Sequence, residues 1–256
     1  MISIIMPVLN EAAILGMALE TLLGQYGDYE VIVVDGASKD DTCLVAQRFP
    51  VQLVRNPPGR SKGIGDQINQ GANQAHGQVL MFLHADVRLP PQAIRCIEAA
   101  LANPNVIGGG FLPTFEPLAS QSKSKPRTLA WVESVWRLRT RLFGWFAGDT
   151  APFIRTGIFK RNGGYPMASF ASDWDFASQL RRLGQLVVIR EPVGVNSRRH
   201  IYNGVLKTLL VTGSVELMYH LGADRTFLRE WYRRWLPRER ESTPITAGKG
   251  RLFHDV

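Results

Sequence analysis

The stretch Leu80–Pro90, with the sequence LMFLHADVRLP, decides the fold of this 256-residue chain. An apolar run typical of a buried strand stops at one carboxylate, Asp86, and a Pro-Pro pair follows four residues later. Ligands of open α/β sheets bind at the ends of parallel strands, so the pattern predicts that Asp86 lies at such a rim. A lone carboxylate there suits Mg²⁺ or Mn²⁺, which takes its other oxygens from phosphates and water. The pattern also fits an Asp that caps the next helix.

Strand and helix patterns alternate along the chain on both sides of this stretch, up to residue 102. Short apolar runs predict buried strands, and apolar residues that repeat every three or four positions predict helices. The predicted strands are Ile2–Val8, Glu30–Val34, Val51–Arg55 and Val79–His84; the predicted helices run from an Asn10 cap to Leu23, from Asp40 or Asp41 toward Phe49, over Asp66–Ala75 and over Pro91–Ala102. This alternation indicates an α/β fold with a mostly parallel sheet and helices on both faces.

The alternation loosens after Ile107. We expect strands ending at Leu112 and spanning Leu186–Ile189, and helices at Leu129–Phe143 and Asp173–Leu183, with the segment Pro152–Arg155 between the two helices. Residues 201–222 are moderately apolar but contain Lys207, Glu216 and His220, which favours an amphipathic or packed helix over a membrane-spanning one. The chain therefore reads as one globular domain with a helical C-terminal extension.

The charge distribution favours an anionic partner. The formal net charge is +8, which suits a phosphate-bearing ligand, a nucleic acid or an acidic membrane surface. Basic residues crowd around Trp231, Tyr232 and Trp235, and basic residues between aromatic ones are typical of a membrane interface. A solvated helix face is the other interpretation of this segment.

The N-terminus and the cysteines indicate a cytoplasmic protein, with peripheral contact at the inner membrane face as a further expectation. Residues 2–9 already read as a strand, so we see no signal peptide. Cys43 and Cys96 lack metal-like spacing and lie in predicted helices, so we expect no disulfide framework.

Polar residues follow each of the first four predicted strands. They are Asn10-Glu11, Asp35, Arg60 and Asp86. Because the carboxyl ends of parallel strands share one edge, these side chains are expected to converge on one crevice. Carboxylates can accept hydrogen bonds from a base or ribose, Arg60 can meet a phosphate, and Asp86 can hold a metal that bridges a diphosphate.

Six segments in order resemble the family 2 glycosyltransferases. They are IIMPVLNEA (4–12), VIVVDGASKDDT (31–42), GR (59–60) with QINQGANQAHG (67–77), FLHADVRLP (82–90), GDTAPFIR (148–155) and SDWDFASQLRRLG (172–184). The HAD element stands where many relatives carry a DxD metal motif, and the last two segments are similar to the GDQ and ED segments of a bacterial subgroup. The resemblance implies a GT-A domain over residues 1–200, with a nucleotide-sugar half (1–105) and an acceptor half (106–200), and a basic helical extension over 201–256.

The resemblance also implies roles for residues on the donor side. Pro7, Glu11 and Asp35 would surround the nucleotide, with Asp35 at the base or ribose. Asp86 would bind Mg²⁺ or Mn²⁺, and Arg60 would help to clamp the departing diphosphate.

On the acceptor side, the resemblance implies that Asp173 is the general base of an inverting transfer, because it matches the Asp of the ED pair. Asp175 replaces it if the alignment shifts by two residues. Asp149 matches the GDQ acid and would contact the donor sugar or the acceptor. Ser172 and Thr150 depart from the ED and GDQ patterns, and these departures bear on the choice of donor sugar.

The sequence therefore predicts a metal-dependent inverting transferase that moves a sugar from a nucleotide-diphosphate sugar to a hydroxyl, for example of a lipid or carotenoid. A nucleotidyltransferase acting on a sugar phosphate is one alternative, although MPVLNEAA lacks the Gly-rich basic loop it would need. A basic nucleic-acid-binding protein is the other, but the charges form no recognisable module, so no nucleic acid is expected. His200 is interpreted as a surface histidine, with a metal ligand as the alternative.

Overall fold

The computed structural model describes residues 1–57, 63–116, 127–144, 146, 148–167 and 170–236. The strands within these ranges are β1 (Ile2–Val8), β2 (Tyr29–Asp35), β3 (Gln52–Arg55), β4 (Val79–Phe82), β5 (Val87–Arg88), β6 (Val106–Glu116), β7 (Phe153–Arg155) and β8 (Gln185–Asn196). The helices are α1 (Ala12–Leu23), α2 (Thr42–Ala46), α3 (Ile64–Gln74), α4 (Ala93–Leu101), α5 (Arg127–Phe143), α6 (Thr156–Arg161), α7 (Ser172–Leu183), α8 (Arg198–Asn203), α9 (Val205–His220) and α10 (Arg225–Trp235).

All of these strands form one mixed sheet with the order β3-β2-β1-β4-β7-β6-β8-β5. The first four strands run parallel, which confirms the predicted α/β architecture. β7 is antiparallel to both β4 and β6, and it joins the first half of the sheet to β6 and β8. The edge at which β1, β2 and β4 end therefore continues past the start of β7 to the end of β6, so both halves of the chain border it.

The core lies on both faces of the sheet. Ile4, Met6 and Val8 of β1 pack on one side with Leu15 and Leu19 of α1. On the other side, Ile5 packs with Ile68 of α3 and with Phe82 at the end of β4. Because both faces are covered, the central strands are apolar at nearly every position, which made them visible in the sequence.

Glycine 71 of α3 allows the helix to lie very close to the sheet. A Cβ at this position would lie 2.5 Å from the side chain of Ile5 and 3.0 Å from that of Val34. The close approach brings the polar residues of α3 to the ends of β1 and β2.

The C-terminal helices pack on α5 and the far strands through a separate apolar cluster. It is formed by Phe115, Leu129, Val132 and Val195, with Trp136, Val205 and Leu209 at its edge. In the described part of the chain, the helices are all too short or too polar to span a bilayer.

Several predicted boundaries were wrong. β4 ends at Phe82 because residues 84–87 form a turn, in which the Val87 N–H donates to the His84 carbonyl at 3.1 Å. α2 ends at Ala46 and not near Phe49. The N-cap of α1 is Glu11 and not Asn10, because Asn10 has a φ of 56° and its side chain accepts a hydrogen bond from the Lys39 N–H. β8 continues to Asn196, pairing with β6 across two register shifts, and the short helix α6 was not predicted.

Candidate active site

Asp35 lies at the carboxyl end of β2, opposite Val8 of β1. Asp35 is only 3% exposed to solvent, and its carboxylate accepts hydrogen bonds from the N–H groups of Ala37 and Ser38, each at 3.1 Å. These bonds hold the loop after β2, in which Ala37 has a φ of 70°. The side chain is thus fixed at the rim of the sheet, where the sequence placed it.

The loop after β1 is tied to the loop after β2. The Glu11 N–H donates to Thr42 Oγ1 at 2.8 Å, and the Asn10 amide oxygen accepts from the Lys39 N–H at 2.8 Å. Pro7 is buried in β1, beyond the last residue that pairs with β4, so its missing N–H leaves that ladder intact. Pro7, Glu11 and Asp35 therefore lie on neighbouring strand ends.

Gln67 of α3 supports both of these strand ends, and the sequence analysis did not identify it. It is buried, and its side-chain amide donates to the carbonyls of Val8 and Val34 at 2.9 and 2.8 Å. The amide satisfies two main-chain acceptors at the point where the strands diverge. Gln67 is the first residue of the QINQGANQAHG segment, and the family resemblance of that segment could have identified it.

Asp86 is exposed in the turn between β4 and β5. The described residues contain no group of three His, Cys, Asp or Glu side chains that could hold a metal by themselves. A single accessible carboxylate fits a hard cation that a diphosphate and water complete, since Mg²⁺ commonly binds through one or two carboxylates and substrate phosphates.

Asp149, Asp173 and His84 come together beside the end of β4, at the same edge of the sheet. Asp149 lies in a 3₁₀ turn at Gly148–Thr150, and Asp173 lies in the first turn of α7. His84 packs against Gly148 so closely that a Cβ there would lie 2.2 Å from its Nε2 atom. The Gly148 N–H donates to the Asp173 carboxylate. Residues from three distant segments thus form one acidic cluster with a histidine beside it.

Both carboxyl groups of this cluster have a raised pKa. Burial is the main cause for each, and the Asp173 charge further raises the pKa of Asp149. His84 opposes the shift in both groups, and Arg139 opposes it for Asp149. Both residues keep some accessible surface, so neither is sealed in the hydrophobic core.

Asp175 is held away from this cluster. Its Oδ1 atom accepts hydrogen bonds from the Tyr219 hydroxyl at 2.7 Å and from Arg225 Nη2 at 2.6 Å. The Arg225 guanidinium also lies 4.5 Å from the centre of the Tyr219 ring. Asp173 faces His84 and Gly148, whereas Asp175 ties α7 to α9 and α10.

Two further predictions have different outcomes. Arg60 lies outside the described residues. His200 was interpreted as a surface histidine, and this was wrong: it is 4% exposed, and its ring centre lies 4.7 Å from that of Phe115 and 5.6 Å from that of Trp136. Aromatic rings from β6 and α5, distant in sequence, cover it.

Sequence reasoning also missed His84 and Arg139. His84 begins the HAD element, and only its Asp was considered. Arg139 binds both carboxylate oxygens of Glu216 at 2.9 Å and lies near Asp149. The sequence shows that Arg139 belongs to a basic segment. The local pattern does not show which acidic residue it approaches, because its partners are distant in sequence.

Comparison with known proteins identifies the family of this chain. The sequence profile described as glycosyl transferase family 2 matches residues 3–159. A PGL/p-HBAD biosynthesis glycosyltransferase of Mycobacterium tuberculosis is 39% identical over 184 residues, which cover 69% of this chain and 68% of that protein. The dolichol-phosphate mannosyltransferase of Pyrococcus furiosus is 30% identical over 119 residues, covering 43% of this chain and 32% of that protein.

Solved structures share the fold. The mannosyltransferase PcManGT from Pyrobaculum calidifontis, in complex with GDP-Man and Mn²⁺, matches with a TM-score of 0.62 and 19% identity, over 90% of this chain and 69% of that chain. S. aureus TarS residues 1–349 with UDP-GlcNAc match with a TM-score of 0.59 and 17% identity, over 92% and 71% of the two chains. This chain spans 42% of a longer TarS chain. The profile match covers more than half of the sequence, and the α/β sheet is of the GT-A type, so the protein is a glycosyltransferase of family 2.

Proposed function

We propose that this glycosyltransferase moves a sugar from a nucleotide-diphosphate sugar to the hydroxyl of a lipidic acceptor, with inversion at the anomeric carbon. The observation that carries the proposal is that Asp149 and Asp173 cluster with His84, two residues before Asp86, at the edge of the sheet where β2 ends in Asp35. One wall offers groups for a nucleotide and its diphosphate, and the other offers a buried base. Of the functions considered from the sequence, sugar transfer is the one that the family supports.

The donor side of the cleft suits a nucleotide diphosphate. Asp35 would accept hydrogen bonds from the base or ribose, with Pro7 and Glu11 beside it, and Arg60 would meet the phosphates. Asp86 would hold Mg²⁺ or Mn²⁺, which when bound neutralises charge on the departing diphosphate. The solved relatives with UDP-GlcNAc, and with GDP-Man and Mn²⁺, support this kind of donor.

The acceptor side supplies the base. As the acceptor oxygen attacks the anomeric carbon, its proton passes to Asp173, and the bond from that carbon to the diphosphate oxygen breaks. A raised pKa makes Asp173 a stronger proton acceptor than an ordinary exposed Asp, while His84 favours its ionised form. Asp149 would orient the donor sugar or the acceptor.

The proposal includes contact with an anionic membrane through the basic residues of the C-terminal extension. Of residues 201–256, those up to 236 are described, and α10 places Arg229, Arg233 and Arg234 around Trp231 and Trp235. A lipid acceptor would be reached from that surface. In this proposal, residues 1–105 of the domain bind the nucleotide sugar and residues 106–200 bind the acceptor.

A direct test combines nucleotide binding with turnover. We would measure thermal stabilisation by UDP and GDP with and without Mn²⁺, then follow sugar release from the matching donor with a long-chain alcohol as acceptor. Metal-dependent stabilisation followed by transfer to the alcohol is expected. No stabilisation by either nucleotide, together with no turnover, would contradict the proposal.

Replacing Asp35 with Asn is expected to weaken nucleotide binding by roughly 10-fold or more, with or without Mn²⁺, because a charge-assisted hydrogen bond is lost. Asn keeps one oxygen for the N–H groups of Ala37 and Ser38, so the loop should remain closed. Calorimetric titration with UDP or GDP measures the effect, and the exposed Asp41→Asn variant is the control. Equal affinities in the wild type and the Asp35 variant would argue against the nucleotide role.

The rate of transfer at saturating donor is expected to fall as the pH is lowered through the pKa of Asp173, because the base must be ionised. Burial raises this pKa, so the acid limb should lie above the value of about 3.9 that is ordinary for Asp. A kcat–pH profile measures its position. An acid limb at or below the ordinary carboxyl range would exclude Asp173 as the group that controls the rate.

A further inference from the structure

An apolar stripe on the outer face of α5 is exposed to solvent. Trp131, Val135, Leu138 and Leu142 follow one another at intervals of four, three and four residues, which places them on one side of the helix. They are between 39% and 66% exposed, whereas Leu129 and Val132 on the inner side are buried. The outer face is thus as apolar as the face that packs on the protein.

The neighbouring helix α9 carries a second stripe. Leu206, Leu210 and Leu217 lie on its outer side and are between 61% and 68% exposed. The two helices contact each other through an ion pair in which Arg139 Nη1 donates to both carboxylate oxygens of Glu216, and Trp136 and Leu209 belong to one apolar cluster between them. Both stripes therefore lie side by side on the outer surface of the helix pair.

Aromatic residues of α10 border this surface. The rings of Phe227, Trp231 and Trp235 follow each other at 6.1 and 6.0 Å, and the Trp231 indole N–H donates to Ser214 of α9 at 3.2 Å. Phe227 and Trp235 remain exposed. Tryptophan at the edge of an apolar surface is typical of proteins that lie at a membrane–water interface.

The excess of basic residues on α5, α9 and α10 favours an anionic partner for the two apolar stripes. α5, α9 and α10 together contain nine Lys and Arg residues and three Glu residues. Arg141 and Arg190 line a pocket beside α5, next to the Leu138 side of the stripe, and Lys207 is exposed on α9. A second copy of the chain would bring like charges together, whereas an anionic bilayer satisfies both the leucines and the arginines.

From these observations we infer that α5, α9 and α10 form a bilayer-docking face that inserts its leucines into the boundary of an anionic phospholipid membrane. The inference rests on the proposed function for its consequence. Tyr219 of α9 donates a hydrogen bond to Asp175 of α7, the helix that begins with Asp173 in its first turn, so the docked face adjoins the helix of the proposed base. The acceptor class is then an amphiphile whose hydroxyl stays at the bilayer surface.

The test uses the full chain and vesicles made of equal parts phosphatidylcholine and phosphatidylglycerol. The variants Leu138→Gln/Leu142→Gln and Leu206→Gln/Leu210→Gln leave the net charge unchanged. Each is expected to lower vesicle binding by roughly 10-fold or more, because two leucines lose their burial in the lipid. Met17→Gln/Leu44→Gln is the matched control, since these residues are similarly exposed on α1 and α2, away from the face.

The variant Arg141→Gln/Arg190→Gln should weaken binding to these vesicles but leave the weaker binding to pure phosphatidylcholine unchanged. Loss of vesicle binding in the leucine pairs, with stabilisation by UDP or GDP and Mn²⁺ intact, supports the docking face. Vesicle binding that is unaffected by the leucine pairs overturns it. A wild-type dimer that the leucine pairs dissociate, without vesicle binding, also overturns it. If vesicle binding behaves as expected but no nucleotide stabilises the wild type, the docking face stands and the proposed function fails.

Discussion

Replacing Asp173 with Asn is expected to lower the rate of sugar transfer by roughly 10²- to 10⁴-fold while donor and metal binding stay intact. Asn keeps the shape of the side chain but cannot accept the acceptor proton at neutral pH. The structure adds an expectation about stability. Burial raises the pKa of Asp173, so its ionised form destabilises the folded state above that pKa, and this cost is relieved as the pH falls through it. The Asn variant should therefore be at least as stable as the wild type at neutral pH.

The matched control is Asp175→Asn, and it should show the opposite pattern. This substitution weakens the hydrogen bonds with Tyr219 and Arg225 that fasten α7 to the C-terminal helices. We expect a lower melting temperature and only a modest loss of turnover. Single-turnover kinetics and thermal melts of both variants separate the two roles, and an inactive Asp175 variant beside an active Asp173 variant would show that the base has been assigned to the wrong residue.

Replacing Asp86 with Ala is expected to remove the Mn²⁺-dependent part of the stabilisation by UDP or GDP and to lower transfer by roughly 10²-fold or more, because charge on the leaving diphosphate is no longer neutralised. The fold should persist, since Asp86 is exposed in a turn. Thermal melts over a Mn²⁺ titration measure the first effect. Asp41→Ala, in another exposed turn, is the control. If stabilisation of the Asp86 variant by UDP or GDP still depends on Mn²⁺, Asp86 is not a ligand of the metal.

The sheet could be predicted because its central strands are covered on both faces. The strand Ile2–Val8 was predicted with its observed bounds, because its short apolar run stops before the polar residue Asn10. β8 was predicted only from 186 to 189, because Arg190, Glu191 and Pro192 interrupt the apolar pattern. Its pairing with β6 carries the strand on through that interruption, and a partner so distant in sequence is invisible to a local pattern.

The site was predictable only in part, for a similar reason. Strand ends collect on one edge by topology, so the positions of Asp35 and Asp86 at that edge could be expected, although the turn that carries Asp86 was not. Helical spacing showed that Asp173 and Asp175 face different ways, but not which of them faces the cleft. That depends on Tyr219, Arg225 and His84, which come from three other elements. His200 was misplaced because Phe115 and Trp136 cover it only in the folded chain.

The bonds from Asp175 to Tyr219 and Arg225 fasten the helix of the proposed base to the helices of the docking face. Asp173 lies two residues along the same helix, so helix packing, and not a loop, sets its position relative to those helices. On a membrane, the reaction centre would then stand at one fixed height above the lipid surface. The enzyme would then select acceptors by the depth of their hydroxyl group. Hydroxyl groups at that height would be glycosylated, whereas chemically identical ones that lie deeper in the lipid or farther out in water would not.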